Sequence, residues 1–304
     1  DRLARAPDDL SALRVFYRCF HRNALQRDER GRSGLERLLD ASDQATRQAE
    51  AHLKARVSHN EGIMARLCMG LVAATGQETF SEAERDAIYR DATYLLYRLL
   101  FILYAEARGL LPVTHPAYQA ASLRALVQTA HDYKRNGIPD PKATTLWQRL
   151  QRLCRAIYDS DPDLGIPAYN GGLFDDADKP HLRQGHVSDA HLTVALCDLA
   201  YMPGDNASGQ PIDYRDLSVR HLGNIYEGMI EYKLQIAEET RWARRDKKGN
   251  VHYLRTGQQG APRKQDVEIA PGDVYFSQSP GERRATGTYY TPEYIVAYIV
   301  RQPV

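Results

Sequence analysis

The chain lacks any CxxC pair: its four cysteines, Cys19, Cys68, Cys154 and Cys197, stand far apart. That spacing suggests neither a zinc ribbon nor a disulfide framework, and buried free thiols in a reducing cytoplasm are expected. No apolar run approaches the ~20 residues needed to span a bilayer, and no signal-peptide pattern opens the sequence, so no membrane partner is expected. Neither sign of charge prevails, with 40 Lys and Arg against 39 Asp and Glu. Any nucleic-acid contact must then come from a local basic surface. Phenylalanine is scarce at 6 while tyrosine reaches 19. Tyrosines line wet clefts or sit at core edges with the hydroxyl in water.

What is present fits a globular chain with a sizeable core: 304 residues, 43% hydrophobic and 26% charged. The first half reads helical. Leu10, Leu13, Val15 and Phe16 begin an apolar stripe, residues 40–56 are rich in helix formers, and an apolar helix near Ile63–Ala74 stops at Gly76. The strongest helix runs from Ser81 to Arg108. Ser81 and Glu84 have capping-box spacing, and Ile88, Ala92, Leu95, Leu96, Leu99, Leu100, Ile102 and Leu103 form a broad apolar face. Gly109 and Pro112 end it.

Residues 121–160 give two more helices, split by the breaker run at 136–141, and 160–190 reads as loops. Helices are expected at Asp189–Leu199 and Leu217–Glu239. Beyond them Val251–Leu254 and Val274–Phe276 alternate like strands, with a turn at Lys248-Gly249-Asn250. The expected fold is mainly α: a helical segment over 1–78, a multi-helix connector over 79–240 and a small β-hairpin excursion over 241–285. Residues 286–304 would open a further domain. A start at Asp1 and an end at Gln302-Pro303-Val304 lead us to expect a fragment.

The sharpest stretch is Thr286-Gly287-Thr288-Tyr289-Tyr290-Thr291-Pro292-Glu293, followed by Ile295, Val296, Ile299 and Val300. Thr291 suits an N-cap, Pro292 the first helical turn, and Glu293 the positive end of the helix dipole. Gly287 permits close backbone approach to a ligand. A helix start of this kind can hold a carboxylate or phosphate; it is also an ordinary capped helix.

This stretch resembles the opening motif of amino-group DNA methyltransferases. The resemblance implies that Thr291, with Gly287, Tyr289, Tyr290 and Pro292, lies at the S-adenosylmethionine pocket. Three further stretches, Arg98–Pro112, Pro167–Phe174 and His221–Glu231, resemble a connector helix, a loop and a later helix of one branch of that family. In this order they are similar to type IIG restriction–modification enzymes and to the methyltransferase of BREX phage-defence systems, over about residues 85–304.

The implied parent transfers a methyl group to adenine N6 in double-stranded DNA, after flipping the base. It would carry the truncated α/β methyltransferase domain in full and a recognition domain; where an endonuclease module is fused to it, Mg²⁺ is needed by that module alone. No Asn/Asp-Pro-Pro-aromatic tetrapeptide occurs here, so no catalytic residue is assigned and this fragment is expected to be inactive alone. A non-catalytic helical scaffold joining nuclease or translocase and methyltransferase modules is the alternative.

Arg241, Arg244, Arg245, Lys247, Lys248, Arg255, Arg263 and Lys264 face one acid, Asp246, across 241–265, and Arg283 and Arg284 follow. With Trp242 and Tyr253 interleaved, this pattern suits DNA phosphates and equally a solubilising hairpin. Arg244, Arg245, Lys247, Lys248, Arg263, Lys264, Arg283 and Arg284 are the expected DNA contacts. Glu231-Tyr232-Lys233 has the carboxylate-x-lysine spacing of a nuclease, but the expected helix there argues against one. His181, His186 and His191 are spaced by five and read as solvated loop residues, so no metal is assigned. Tyr169-Asn170-Gly171-Gly172 reads as a tight turn.

Overall fold

The computed structural model describes residues 10–29, 31–57, 62–202, 209–217, 221, 223, 225, 229, 232–246, 251–255 and 262–278. Among these the chain is mainly helical, with small antiparallel sheets. The helices are α1 (Leu10–Phe20), α2 (Arg22–Leu25), α3 (Gly34–Val57), α4 (Ile63–Thr75), α5 (Glu82–Arg108), α6 (Pro116–Ala121), α7 (Leu123–Asn136), α8 (Thr145–Asp159), α9 (Pro180–Gln184) and α10 (Asp189–Ala200). The strands are β1 (Tyr201–Met202), β2 (Gln210–Pro211), β3 (Tyr232–Ile236), β4 (Arg241–Arg245), β5 (Val251–Arg255), β6 (Val267–Ile269) and β7 (Val274–Gln278). No described helix is long and apolar enough to cross a membrane.

Packing divides the chain into two compact units, residues 1–51 and 52–304. In the first, Ser33 and Glu36 close a reciprocal capping box at the start of α3: the Ser33 amide donates to Glu36 Oε2 at 2.7 Å and the Glu36 amide to Ser33 Oγ at 3.1 Å. The apolar stripe of α1 is exposed at Val15, Phe16 and Phe20, with the Phe16 and Phe20 rings 4.9 Å apart.

In the second unit α5 is the central element. The Ser81–Glu84 capping box forms as the spacing predicts, and Gly109 closes the helix at φ 67°. That left-handed conformation is open to glycine at little cost. Ile88, Ala92, Leu95, Leu96, Leu99, Leu100 and Ile102 are buried. Helix α4 packs on α5 and α10, and α10 also packs on α7 and α8. Gly70 is what lets α4 approach so closely, since a Cβ there would stand 2.5 Å from Val187 Cγ1.

Two helices are capped by buried acids borrowed from elsewhere in the chain. Glu106, on α5, accepts the Leu123 amide at 2.7 Å and the Arg124 amide at 3.1 Å at the start of α7. Asp189, opening α10, accepts the Leu146 amide at 2.9 Å in the first turn of α8. First-turn amides have no partner within their own helix, so an acid delivered there satisfies a group that would otherwise be buried alone.

The helix expected over Leu217–Glu239 needs correction. Residues 221, 223, 225 and 229 are helical, but Tyr232–Ile236 form β3. The local pattern permits either state, since Tyr232, Leu234 and Ile236 alternate with Lys233 and Gln235 at a strand period while Leu234 also continues the helical spacing before it. Pairing with β7, in the register Leu234 opposite Phe276, buries Leu234 and supplies the backbone partners. The strand region thus begins at Tyr232. Its second sheet has the order β5-β4-β6, all antiparallel, and β1 pairs with β2.

Candidate nucleic-acid interface

The basic residues singled out in the sequence sit on a small three-stranded sheet. Strand β4 is its centre, with Ala243 opposite both Tyr253 of β5 and Val267 of β6. Ala243, Ile269, Ala237 and Tyr275 form a buried cluster, with Val251, Tyr253 and Val267 against it. The Tyr253 hydroxyl donates to the Phe276 carbonyl at 2.6 Å, which ties the sheet to β7. Its ring lies 4.6 Å from that of Tyr275.

Period-two alternation places Arg244 and Trp242 on the face opposite Ala243. There the Arg244 guanidinium meets the Asp266 carboxylate: Nε lies 3.1 Å from each oxygen and one terminal nitrogen lies 2.7 Å from Oδ2. The Arg263 amide donates to the same carboxylate at 2.8 Å. The Arg244 hydrogen bond and the Arg263 amide hold the Asp266 carboxyl below its ordinary value. The same bond raises the pKa of Arg244. Arg241 and Arg255 stand directly opposite one another, a repulsive placement in a sheet. Glu239 relieves it, 3.8 Å from Arg241 and 3.1 Å from Arg255. Arg241 also lies over the Tyr275 ring at 5.4 Å. His252 Nε2 is 3.1 Å from Asp246.

These pairings change the local charge balance. Glu239 and Asp266 flank the basic stretch 241–265 in sequence, and across 238–268 there are five acids against eight bases. Arg244 is engaged with Asp266 and reads as a brace of the sheet. Arg263 and Lys264 present exposed side chains. Arg245 lies in β4, but its side chain is outside the description. Lys247, Lys248, Arg283 and Arg284 lie outside the described residues, as do Gly287, Tyr289, Tyr290, Thr291 and Pro292.

The stretches that carry the family resemblance can be followed on the helical body. Arg98, 1% exposed, projects from the middle of α5 into the loop 173–176. Its Nε donates to the Leu173 carbonyl at 2.7 Å, and its terminal nitrogen lies 3.2 Å from the Asp175 carbonyl and 2.7 Å from Asp176 Oδ1. The guanidinium also lies 5.7 Å from the centre of the Phe174 ring. The Tyr169 hydroxyl donates to the Leu110 carbonyl at 2.8 Å, and the Phe101 and Phe174 rings meet edge-on at 5.6 Å. The first two stretches are therefore locked together. The third joins through Tyr89 of α5, whose hydroxyl donates to the Met229 carbonyl at 2.8 Å.

Nearby, buried Lys179 donates to the Asp175 carbonyl at 2.8 Å and to Asp178 at 2.6 Å, over the Tyr94 ring at 4.3 Å. The tight turn expected at 169–172 lies two residues later, over 171–174, where the Phe174 amide donates to the Gly171 carbonyl at 2.9 Å; Tyr169 and Asn170 (φ 44°) instead donate their amides to the Ile157 and Tyr158 carbonyls of α8.

Two of the spaced histidines are built into this body and are not solvated. His181 is held by buried Asp91, and His191 Nδ1 lies 2.9 Å from Ser188 Oγ. Burial lowers the His191 pKa. His186 is exposed. Of the carboxylate-x-lysine pattern, Lys233 lies on a strand and not on the expected helix, and Glu231 lies outside the described residues. The Lys233 ammonium lies 3.7 Å from Glu82, and among the described residues no group of His, Cys, Asp or Glu could hold a metal. Burial pushes the Cys154 thiol up to about 12 and Cys197 to about 11, which makes both poor nucleophiles.

Comparison with protein-family models, curated proteins and solved structures finds no match.

Proposed function

We propose that this chain is the connector of an N6-adenine DNA methyltransferase of the restriction–modification or phage-defence type. In this reading it joins modules, lays its strand region along the DNA backbone and contributes the first segment of the S-adenosylmethionine pocket. Support comes first from the ordered stretches of family-like sequence. The observation that carries the reading furthest is the Arg98 clasp, through which two of those stretches, distant in sequence, act on one another. A connector must be stiff, and a buried arginine satisfied by two carbonyls and a carboxylate gives stiffness to a loop that has no regular structure.

On DNA, Arg263 and Lys264 would approach phosphates, and Arg244 would act by holding the β6 end of the sheet in place. Each phosphate contact would add to the salt dependence of binding. In an enzyme containing this chain, Thr291→Ala is expected to weaken S-adenosylmethionine binding, because the proposed cap would lose its side-chain oxygen. An unchanged affinity contradicts that role. Bound S-adenosylmethionine would supply the methyl group.

A second reading is the non-catalytic scaffold, favoured by the acid partners of Arg241, Arg244 and Arg255. Titration of the chain with a DNA duplex at low salt separates the two. Binding that falls steeply with added salt, and that Arg263→Glu with Lys264→Glu weakens, supports the DNA reading. No binding at low salt supports the scaffold.

A further inference from the structure

We infer that the cleft between the C-terminal half of α5, helix α7 and the β1–β2 pair binds a nucleoside monophosphate or a similar aromatic phosphate. The cleft has a volume of about 570 Å³. Leu103, Val127 and Ile212 line it with apolar surface, and Tyr201 adds an aromatic ring. A second cavity of about 380 Å³ shares Glu106, Arg124 and Gln128 with it. A concave, mainly apolar site of this size with a few convergent polar groups is the usual form of a small-molecule pocket.

Two guanidinium groups line the cleft. Arg124 lines both cavities, and its side chain is exposed. Arg215 lines the larger cleft, where its Nε donates to the Ala107 carbonyl at 3.3 Å; that bond fixes the side chain and leaves its terminal nitrogens for a ligand. Planar guanidinium forks match phosphate oxygens in pairs.

Two acids also line the cleft, and both are already engaged. Glu106 accepts from the Tyr118 hydroxyl at 2.9 Å and from the Leu123 and Arg124 amides. Asp213 accepts the Arg215 amide at 2.9 Å. The arginines are thus the cationic donors of the cleft, while Glu106 is held by the Tyr118 hydroxyl and two amides and Asp213 by one amide. An anion with a flat apolar body satisfies both halves: the phosphate at the arginines and the ring against Tyr201, Leu103 and Ile212. The Tyr201 ring is itself backed by the His131 ring at 4.8 Å, which leaves it a firm wall for one face of an aromatic ligand.

The inference rests on the helical body and does not depend on the DNA or methyl-transfer reading. Calorimetric titration of the full chain with adenosine 5′-monophosphate, adenosine and inorganic phosphate tests it. The monophosphate is expected to bind one site per chain at least about tenfold more tightly than either part, because charge-assisted bonds and ring burial add. Arg124→Gln and Arg215→Gln should each weaken it by about tenfold, with the circular dichroism spectrum and melting temperature unchanged. A monophosphate affinity no better than that of phosphate overturns the inference. So does an affinity that both variants leave intact, since the ligand would then sit elsewhere.

Discussion

The wholly buried carboxylate of Asp91 takes two hydrogen bonds from His181, one from its backbone amide at 3.1 Å and one from ring Nδ1 at 2.8 Å. It thereby fixes both the start of α9 and the ring that follows Pro180. Both bonds end on Oδ2, and the Arg90 guanidinium lies 3.4 Å from Oδ1, so the amide nitrogen of Asp91→Asn meets a donor in either orientation. Asp91→Asn is expected to lower stability by about 1–3 kcal/mol, the cost of a buried donor left unpaired. Denaturant unfolding followed by circular dichroism reads this directly, and a change below about 0.5 kcal/mol counts against the role.

Arg98 is the more severe case. Removing it leaves two half-buried carbonyls and Asp176, whose side chain is 30% exposed, without their partner. Arg98→Ala should cost about 2–3 kcal/mol, because the carbonyl contacts are lost while water can reach Asp176. Limited proteolysis should then cut within 169–176. If Arg98→Ala unfolds at the same denaturant concentration as the parent, the clasp is not what holds this loop.

Glu106 gives a pH prediction. Burial is the largest influence and raises its carboxyl above the ordinary value, against the bonds from Tyr118, Leu123 and Arg124 that favour the charged form. For an acid whose folded pKa is raised, stability is fullest below the unfolded value of about 4.3 and declines as pH rises through the folded one. Thermal unfolding of the parent and of Glu106→Gln, compared between pH 4 and pH 7, should show the parent losing ground to the variant as pH rises. The opposite slope contradicts the assignment. Glu106→Ala should be worse than Glu106→Gln at every pH, because it leaves the Tyr118 hydroxyl and two amides without an acceptor.

Asp266 has the opposite sign. Its carboxyl is lowered, chiefly by Arg244, so its contribution is complete above the ordinary carboxylate value of about 3.9 and is lost as pH falls through the lowered one. Protection from hydrogen exchange at β4 and β6, taken relative to the intrinsic rate at each pH, should fall in acid for the parent, and Asp266→Asn should show low protection already at pH 7. Equal protection in parent and variant at pH 7 means the bond with Arg244 does not hold the sheet.

Much of this architecture is legible in local pattern. The Ser81–Glu84 box, the Gly76 and Gly109 stops and the breaker run at 136–141 are each decided by residues within a few positions of one another. The strand Tyr232–Ile236 is not, because Leu234 and Ile236 continue the apolar spacing of the residues before them; only pairing with Val274–Gln278 decides between helix and strand. The clasps are invisible for the same reason. Arg98 and Leu173 are 75 positions apart, and Asp189 caps a helix 43 positions upstream. In the basic strand region the bases were legible and their partners were not, since Glu239 and Asp266 become neighbours of Arg255 and Arg244 only once the sheet forms.

The most direct test of the DNA-connector proposal is the salt dependence of duplex binding by the full chain, compared with Arg263→Glu/Lys264→Glu and with Arg244→Ala. The account predicts binding that falls steeply with salt, a slope about two units shallower in the double variant, and a weaker sheet with a nearly unchanged slope in Arg244→Ala. Binding that does not vary with salt, or a double variant with the parent's slope, would contradict it.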